Sequence, residues 1–435
     1  MLVHDRSLVH RDDGFRSRSG PEIRDRLLVT AGNSFFDPEG MRQFSPDISR
    51  GYSSDYGHGF MSLEAALLPI GAIQVPTGMS VSAGTDSLQD ASIATGFAQG
   101  DAIMTALRDV DIMVIDSLAG NFNMSVEALV IIPTSTNAFS EFQSFVDNRN
   151  SQSEMSGALK SIGFALDAQS DSHIVGGSSI DVLSGINMVP ERSGLLYAPV
   201  TVAEIPKQAY ALGVQSAIND QTGIAAYIYS SKVGALSQAY GAGFALQLGA
   251  ESSRLSVGTS IMQERGAALG MLPLATTSDT AAISQTIDLG YSARLGDSVT
   301  FDANAQIGRL SSRGDGIWGG QVNTVFSAYG LALNVANVFK ENDRVVVSIR
   351  QPVAIDRGSM SVVLPQSRDI GGNITSNVLR IGLAPSARQL DMGLEYEIPL
   401  DQFESIRIGA AYILNNGNIN GQTSLGLAMS YSLVL

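Results

Sequence analysis

Alternating apolar and polar residues dominate the second half of the chain. Apolar residues occupy the odd positions of 287–295, and a second alternating run covers 299–307 after the turn Gly296-Asp297-Ser298. Strict period two predicts a β-strand with one apolar face, and a short turn between two such runs predicts a hairpin. Similar runs occur at 390–398, 406–414 and 425–435. The pattern predicts an antiparallel sheet that continues to the C-terminus.

The length of these runs suits a mainly β fold with one of two architectures. A tilted strand that crosses a bilayer needs about 9 to 11 residues, and residues 152–435 have room for about twelve such strands. We therefore favour an antiparallel β-barrel, although a β-sandwich with one buried face per sheet gives the same period. Two features weaken the barrel interpretation. Barrels carry aromatic girdles and usually end in an aromatic residue, whereas this chain has one tryptophan, Trp318, and ends in Leu435.

Charged residues on the polar side of these strands allow two interpretations. They either line a lumen or face solvent, and we expect the solvated face unless the sheet closes. The residues concerned are Asp391, Glu395, Glu397, Arg380 and Arg407.

The N-terminal third has different signals. Gly57 and Gly59 allow positive φ in a tight turn, and Ser62 is a plausible N-cap of a short helix that Pro69 ends. Residues 75–95 resemble a linker rich in Ser, Gly and Thr. Further predictions are a helical turn or two at 102–107, a hairpin of 110–116 with 122–126, and helical spacing at 139–146.

Two segments of this third resemble part of a known enzyme family. Residues 21–31 read PEIRDRLLVTA, and residues 55–71 read DYGHGFMSLEAALLPIG. In this order they resemble the last two helices of a subtilisin-like (S8 family) serine protease domain. The remainder of the chain resembles the autotransporter-like C-terminal domain of proteobacterial members. The resemblance implies a non-matching, disordered start (1–20), a remnant of the protease domain (21–75), a linker with a hairpin and short helix (76–150), and an autotransporter-like β domain (151–435).

The resemblance also implies a function for the parent protein. The chain would be the C-terminal fragment of a serine endopeptidase of the outer membrane, cell envelope or secreted fraction, and only the full-length parent would have a protein substrate. The family's serine motif is missing before residue 55, and no signal peptide opens the chain. Gly258-Thr259-Ser260 copies three letters of that motif but lies downstream of the terminal helix, and His58 lies in a glycine turn. We therefore expect no catalytic residue and no peptidase activity.

Composition narrows the remaining possibilities. A net charge of −15 argues against nucleic acid as a partner, and the lack of cysteine excludes disulfides and thiolate metal sites. None of the four histidines has a second ligand at metal spacing, so we expect no metal or cofactor. Gly176-Gly177 and Gly371-Gly372 are predicted as hairpin turns. Two other functions stay open: a non-enzymatic outer-membrane or surface β-barrel protein, and a soluble secreted β-sandwich that binds a partner.

Overall fold

The structure is a computed structural model. It describes residues 9–10, 19–132, 164–168, 172–178, 209–233, 237–250, 252–274, 280–314, 317–318, 320, 322–400 and 404–433. Several predictions fall outside the described residues: most of the disordered start, the helical spacing at 139–146, and the final Leu435.

Short elements make up the N-terminal third of the described chain. The helices are α1 (Gly20–Val29), α2 (Leu63–Ala66) and α3 (Ala102–Ala106). No helix among the described residues is long and apolar enough to cross a membrane. The strands are β1 (Val9–His10), β2 (Gly40–Ser45), β3 (Ile48–Tyr52), β4 (Gln74–Pro76), β5 (Thr85–Ser87), β6 (Ile93–Ala94), β7 (Asp111–Ile115), β8 (Asn121–Ser125) and β9 (Val130–Ile131).

Longer strands make up most of the rest. They are β10 (Phe164–Ala168), β11 (Ser172–Ser178), β12 (Ala209–Asn219), β13 (Thr222–Val233), β14 (Ser237–Ala250), β15 (Ser253–Arg265), β16 (Leu272–Pro273), β17 (Ala281–Arg294), β18 (Val299–Arg313), β19 (Val322–Ala336), β20 (Arg344–Arg368), β21 (Ile374–Gly382), β22 (Leu390–Pro399), β23 (Glu404–Leu414) and β24 (Thr423–Leu433). All except the two-residue β16 join one antiparallel sheet of fourteen strands, with β21 paired to the second half of β20.

The predicted strands are present in this sheet. The hairpin predicted across residues 287–307 is β17 and β18, and the later runs are β22, β23 and β24. The hairpin predicted after residue 110 is β7 and β8, which belong to a separate sheet of five strands. Gly371-Gly372 does lie in a turn, but the turn predicted at Gly176-Gly177 is wrong. Both glycines lie within β11: Gly176 pairs with β10 and β12, and Gly177 pairs with β12.

The sheet is open in the described residues. Its main path runs from β10 to β24 without β21, which leaves thirteen strands. Because every neighbouring pair is antiparallel, an odd number makes β10 and β24 run in the same direction. They therefore cannot complete the antiparallel pattern with each other.

The two ends of the sheet differ in their connections. One end has short turns, including 220–221 and 295–298, and we call it the short-turn end. Most connections at the other end are longer, including 266–280 and 383–389, and we call it the long-connection end.

The N-terminal region packs on the inner face of the sheet at the long-connection end. Buried Ile93, Ile103 and Leu107 belong to the same apolar core as Phe326 and Met360 of the sheet. Polar contacts fix the position. The Trp318 indole N–H donates to the Ala91 carbonyl at 2.7 Å, the Asn418 amide donates to the Phe97 carbonyl at 2.7 Å, and β6 pairs with β16. The stretch that the sequence assigns to a linker therefore contains strands with buried side chains.

Arg26 of α1 holds the N-terminal region together. Its side chain is 1% exposed, and its Nη1 lies 2.5 Å from Oδ2 of the equally buried Asp116. The other guanidinium nitrogens donate to the carbonyls of Ala66 and Leu68, at the end of α2. Asp116 also accepts the backbone N–H of Ile70. One satisfied ion pair therefore joins α1, the end of α2 and the turn between β7 and β8.

A second ion pair connects α1 to the large sheet. Arg368 of β20 lies 2.8 Å from Glu22, which also completes a capping box with Ser19 at the start of α1. Burial by itself raises the pKa of the Glu22 carboxyl. The Ser19 backbone N–H and the Arg368 guanidinium outweigh burial and hold that pKa below its ordinary value.

We expect Arg26→Met to destabilise the N-terminal region by roughly 3 to 5 kcal/mol, because Asp116 would stay buried without its cation. Arg24→Met is the matched control: its side chain is 60% exposed on the same helix, and such a pair contributes less than about 1 kcal/mol. Limited proteolysis between Ser45 and Ser54 should accelerate in Arg26→Met alone. Equal cleavage rates in the two variants would contradict this role.

Candidate functional site: the two faces of the large sheet

The outer face of the large sheet is apolar along continuous rows of cross-strand neighbours. One row crosses nine strands from β14 to β24, and every position in it is apolar. Its members are Leu248, Leu255, Tyr291, Ala303, Leu331, Ile349, Met392, Tyr412 and Leu425. The larger side chains along this face are exposed; Leu394 is 52% and Leu427 is 73% exposed. Nothing in the described part of the chain covers this face, which is the opposite of the burial that a β-sandwich requires.

The inner face of the same strands is polar towards the short-turn end. Asp302, Gln306 and Ser348 are buried there, and each alternates along its strand with exposed or half-buried apolar residues. The sheet therefore has its apolar set outside and its polar set inside. This is the reverse of the arrangement in a soluble antiparallel sheet, which buries its apolar face.

Ion pairs on this inner face connect three neighbouring strands. Arg350 of β20 lies 2.7 Å from Asp391 of β22. Arg407 of β23 contacts Glu395 at 2.7 Å and Glu397 at 3.0 Å. Arg344 contacts Glu397 at 2.7 Å. The balance of charges makes this burial possible, because a buried carboxylate needs a cation and further hydrogen bonds.

The expectation of a solvated polar face is therefore wrong for four of its five residues. Asp391 and Glu395 are at most 1% exposed, and Glu397 and Arg407 are partly buried and ion-paired with each other. Arg380 alone is exposed, on β21, where its Nε donates to Ser359. These four residues are buried or partly buried because they occupy the alternate positions of β22 and β23 whose side chains point to the inner face.

A second polar cluster lies on the inner face of β15, β17 and β18. The Ser260 and Thr286 hydroxyls are 2.5 Å apart, Thr286 donates to Asp288 at 2.9 Å, and Gln306 also donates to Asp288. The cluster satisfies its polar groups with one another across the strands.

Aromatic rings on the inner face lie over glycines of the neighbouring strand. Tyr227 is opposite Gly243 and Tyr229 is opposite Gly241. A Cβ added at Gly243 would collide with the Tyr227 ring, so any larger residue would displace that ring. Glycine at these positions therefore sets where the inner aromatic residues can pack.

The aromatic residues of the outer face are tyrosines and phenylalanines. Tyr291, Phe301 and Tyr431 lie near the short-turn end of their strands, whereas Tyr240 and Tyr412 lie near the long-connection end. Trp318 is not part of this set, because it is buried against the N-terminal region. Tyrosine therefore supplies the amphipathic rings on this face, in place of tryptophan.

The candidate protease residues lie far from any triad arrangement. Ser260 lies within β15, and its hydroxyl is hydrogen-bonded to that of Thr286. The His58 imidazole lies 3.2 Å from the Gly51 carbonyl and packs near Phe44 and Tyr52, which fits the predicted structural role. Within the described ranges, no group of three or more His, Cys, Asp or Glu side chains is placed to hold a metal ion.

Comparisons with known proteins give weak likenesses. No protein-family model and no curated protein matches the chain. Among solved structures it is similar to the Pseudomonas putida toluene transporter TodX, at 12% identity and a TM-score of 0.30, over 52% of this chain and 73% of that one. It is also similar to the E. coli K12 ferric-catecholate import receptor Fiu, at 9% identity and a TM-score of 0.26, over 52% and 48% of the chains. Scores of this size do not establish a shared fold.

We expect serine-directed activity probes to leave the chain unlabelled. A serine nucleophile needs a base that takes its proton, and Thr286 cannot act as one. Labelling is measured on the purified chain and on Ser260→Ala, with Ser256→Ala on the same face of β15 as the matched control. Labelling that disappears only in Ser260→Ala would show that this serine is reactive.

Proposed function

We propose that the large sheet forms a β-barrel of the outer-membrane type, with its apolar face towards lipid and its polar face towards a lumen. The inverted polarity of the two faces carries this proposal. Soluble monomers rarely expose a contiguous apolar patch larger than about 300 to 600 Å². An uninterrupted apolar row across nine strands far exceeds what such proteins leave in water.

The height of the apolar band also supports a lipid environment for the outer face. On β17 and β18 the outer apolar residues extend from Ile287 to Ala293 and from Phe301 to Ile307. On β23 and β24 they extend from Ile406 to Leu414 and from Leu425 to Tyr431. Seven to nine residues at about 3.3 Å each, tilted by about 40°, give a band of about 18 to 23 Å, slightly below the roughly 25 Å of an outer-membrane barrel.

The lipid environment also requires that the sheet close, because an open edge leaves backbone groups unpaired in hydrocarbon. Closure needs an even number of antiparallel strands. The path from β11 to β24 contains twelve strands. Strands β11 and β24 therefore run in opposite directions and can form an antiparallel pair. We infer that closure joins this pair and that β10 is then displaced from the edge. Twelve is also the number of strands that the sequence predicts.

Orientation can be inferred from the connections. Barrels of the outer membrane have short periplasmic turns and longer extracellular loops. The long-connection end, with the N-terminal region packed on its inner face, would then lie on the extracellular side.

The relation to subtilisin-like proteases stays a second, narrower proposal. The observation that favours it is that α1 and α2, the two segments that carry the resemblance, pack together through Arg26. In that case the barrel would anchor a parent endopeptidase, and this chain would lack its catalytic triad.

Lipid-borne quenching tests the barrel. The chain has no cysteine, so single cysteines can carry a fluorophore without background. With the refolded protein in vesicles, we expect quenchers on lipid tails to act on Leu427→Cys and Ile287→Cys. The matched inward variants, Ala428→Cys and Ser292→Cys, should be insensitive to them, because their side chains lie on the polar inner face of the sheet.

Two results would overturn the barrel. One is equal quenching of outward and inward variants. The other is a chain that stays folded and monomeric in buffer without detergent, because the exposed apolar face would then have to be covered by protein.

A further inference from the structure

Exposed arginines form a cluster on the outer face, directly above the apolar band at the long-connection end. Arg265 lies on β15, Arg309 and Arg313 on β18, and Arg357 on β20. All four occupy the alternate positions of their strands whose side chains point outward, as the exposed apolar residues do. On β18, Arg309 is the next outward residue after Ile307, so the arginines begin where the apolar band ends.

The arginines are arranged in two pairs, each separated by one intervening strand. Arg265 and Arg313 both pair with Ala281, from opposite sides. Arg309 and Arg357 both pair with Val325 in the same manner. Strands two apart are separated by about 9 to 10 Å. The two guanidinium groups of a pair can therefore reach over the intervening Ala281 or Val325 and bind the same anion.

The cluster has no acidic counterpart on this surface. None of the four arginines makes an ion pair with another described residue, whereas the inner arginines 344, 350 and 407 all do. The acidic residue beside the cluster, Asp356, pairs with Arg388. On a chain of net charge −15, four adjacent arginines without an ion pair to the described residues are a strong local exception.

We propose that this cluster, Arg265, Arg309, Arg313 and Arg357, binds the phosphate groups of membrane lipids in the leaflet at the long-connection end. The inference rests on the barrel proposed above, which places the cluster at the headgroup level. The planar guanidinium matches a phosphate bidentately, and its aliphatic stem can lie along the apolar band below. The ligand class is a lipid with a phosphate monoester or diester headgroup.

The test compares a lipid with and without its phosphate. The chain, folded in nonionic detergent, is titrated with dioleoyl phosphatidic acid or with dioleoylglycerol, and a fluorophore on Ile283→Cys, an outward position between the pairs, reports binding. We expect binding of phosphatidic acid only. Arg309→Gln with Arg357→Gln should weaken it by about 25-fold, since each basic residue near an anionic surface contributes roughly fivefold.

The control is the double variant Arg254→Gln with Arg294→Gln, two exposed arginines of inward parity at the short-turn end, which should bind like the parent. Equal affinity of the two double variants, or equal binding of dioleoylglycerol, would overturn the proposal. Inorganic phosphate that binds as tightly as phosphatidic acid would also overturn it, by showing a site for the free ion. Quenching of the fluorophore at Leu427→Cys distinguishes failure of the barrel from failure of the lipid site. If lipid-borne quenchers do not act there, the barrel proposal is wrong; if they do, only the lipid-phosphate site is wrong.

Discussion

The division of one antiparallel sheet into two faces of opposite polarity is the constraint on which the rest of the structure depends. Each strand sends alternate residues to opposite faces, so a shift of one residue in register would exchange them. The apolar set lies outside and the polar set inside, and the inner charges then need ion pairs or hydrogen bonds. Arg350 with Asp391 and Arg407 with Glu395 meet this need. Neither pair would form if a neighbouring strand slipped by one residue.

The inner face also changes along its length. Towards the short-turn end it presents Asp302 and Gln306, but towards the long-connection end it presents Met262, Leu310 and Phe326. The apolar end needs a protein partner, and the N-terminal region supplies one. Its own cohesion comes from Arg26 and Asp116, so a single buried ion pair affects how well the apolar end of the sheet is covered. The short elements of residues 74–131 are stable in this context because they share a core with the sheet.

Sequence alone could predict the strands but not which face they bury. Period two at residues 287–307 is the same for a barrel and a sandwich, and only the neighbours decide which set is covered. The Arg26 ion pair could not be predicted either, because its partners lie 90 residues apart and neither belongs to a motif. The turn predicted at Gly176 is wrong for a related reason: a glycine pair signals a turn locally, and tertiary pairing overrides it. Ser62 could be predicted as an N-cap because capping is local, and its hydroxyl does accept the Ala65 N–H.

A chain of hydrogen bonds links the N-terminal region to the inner charges. The Phe97 carbonyl accepts from the Asn418 amide, whose oxygen accepts the Gln389 N–H at 2.8 Å. The Gln389 side chain donates to Asp391 at 2.7 Å, and Asp391 holds Arg350. Every link is buried or partly buried, so loss of one partner leaves an unsatisfied group where water cannot easily replace it. The N-terminal region is therefore connected to the charges of the inner face, and we expect displacement of residues around Phe97 to disturb the Arg350–Asp391 pair.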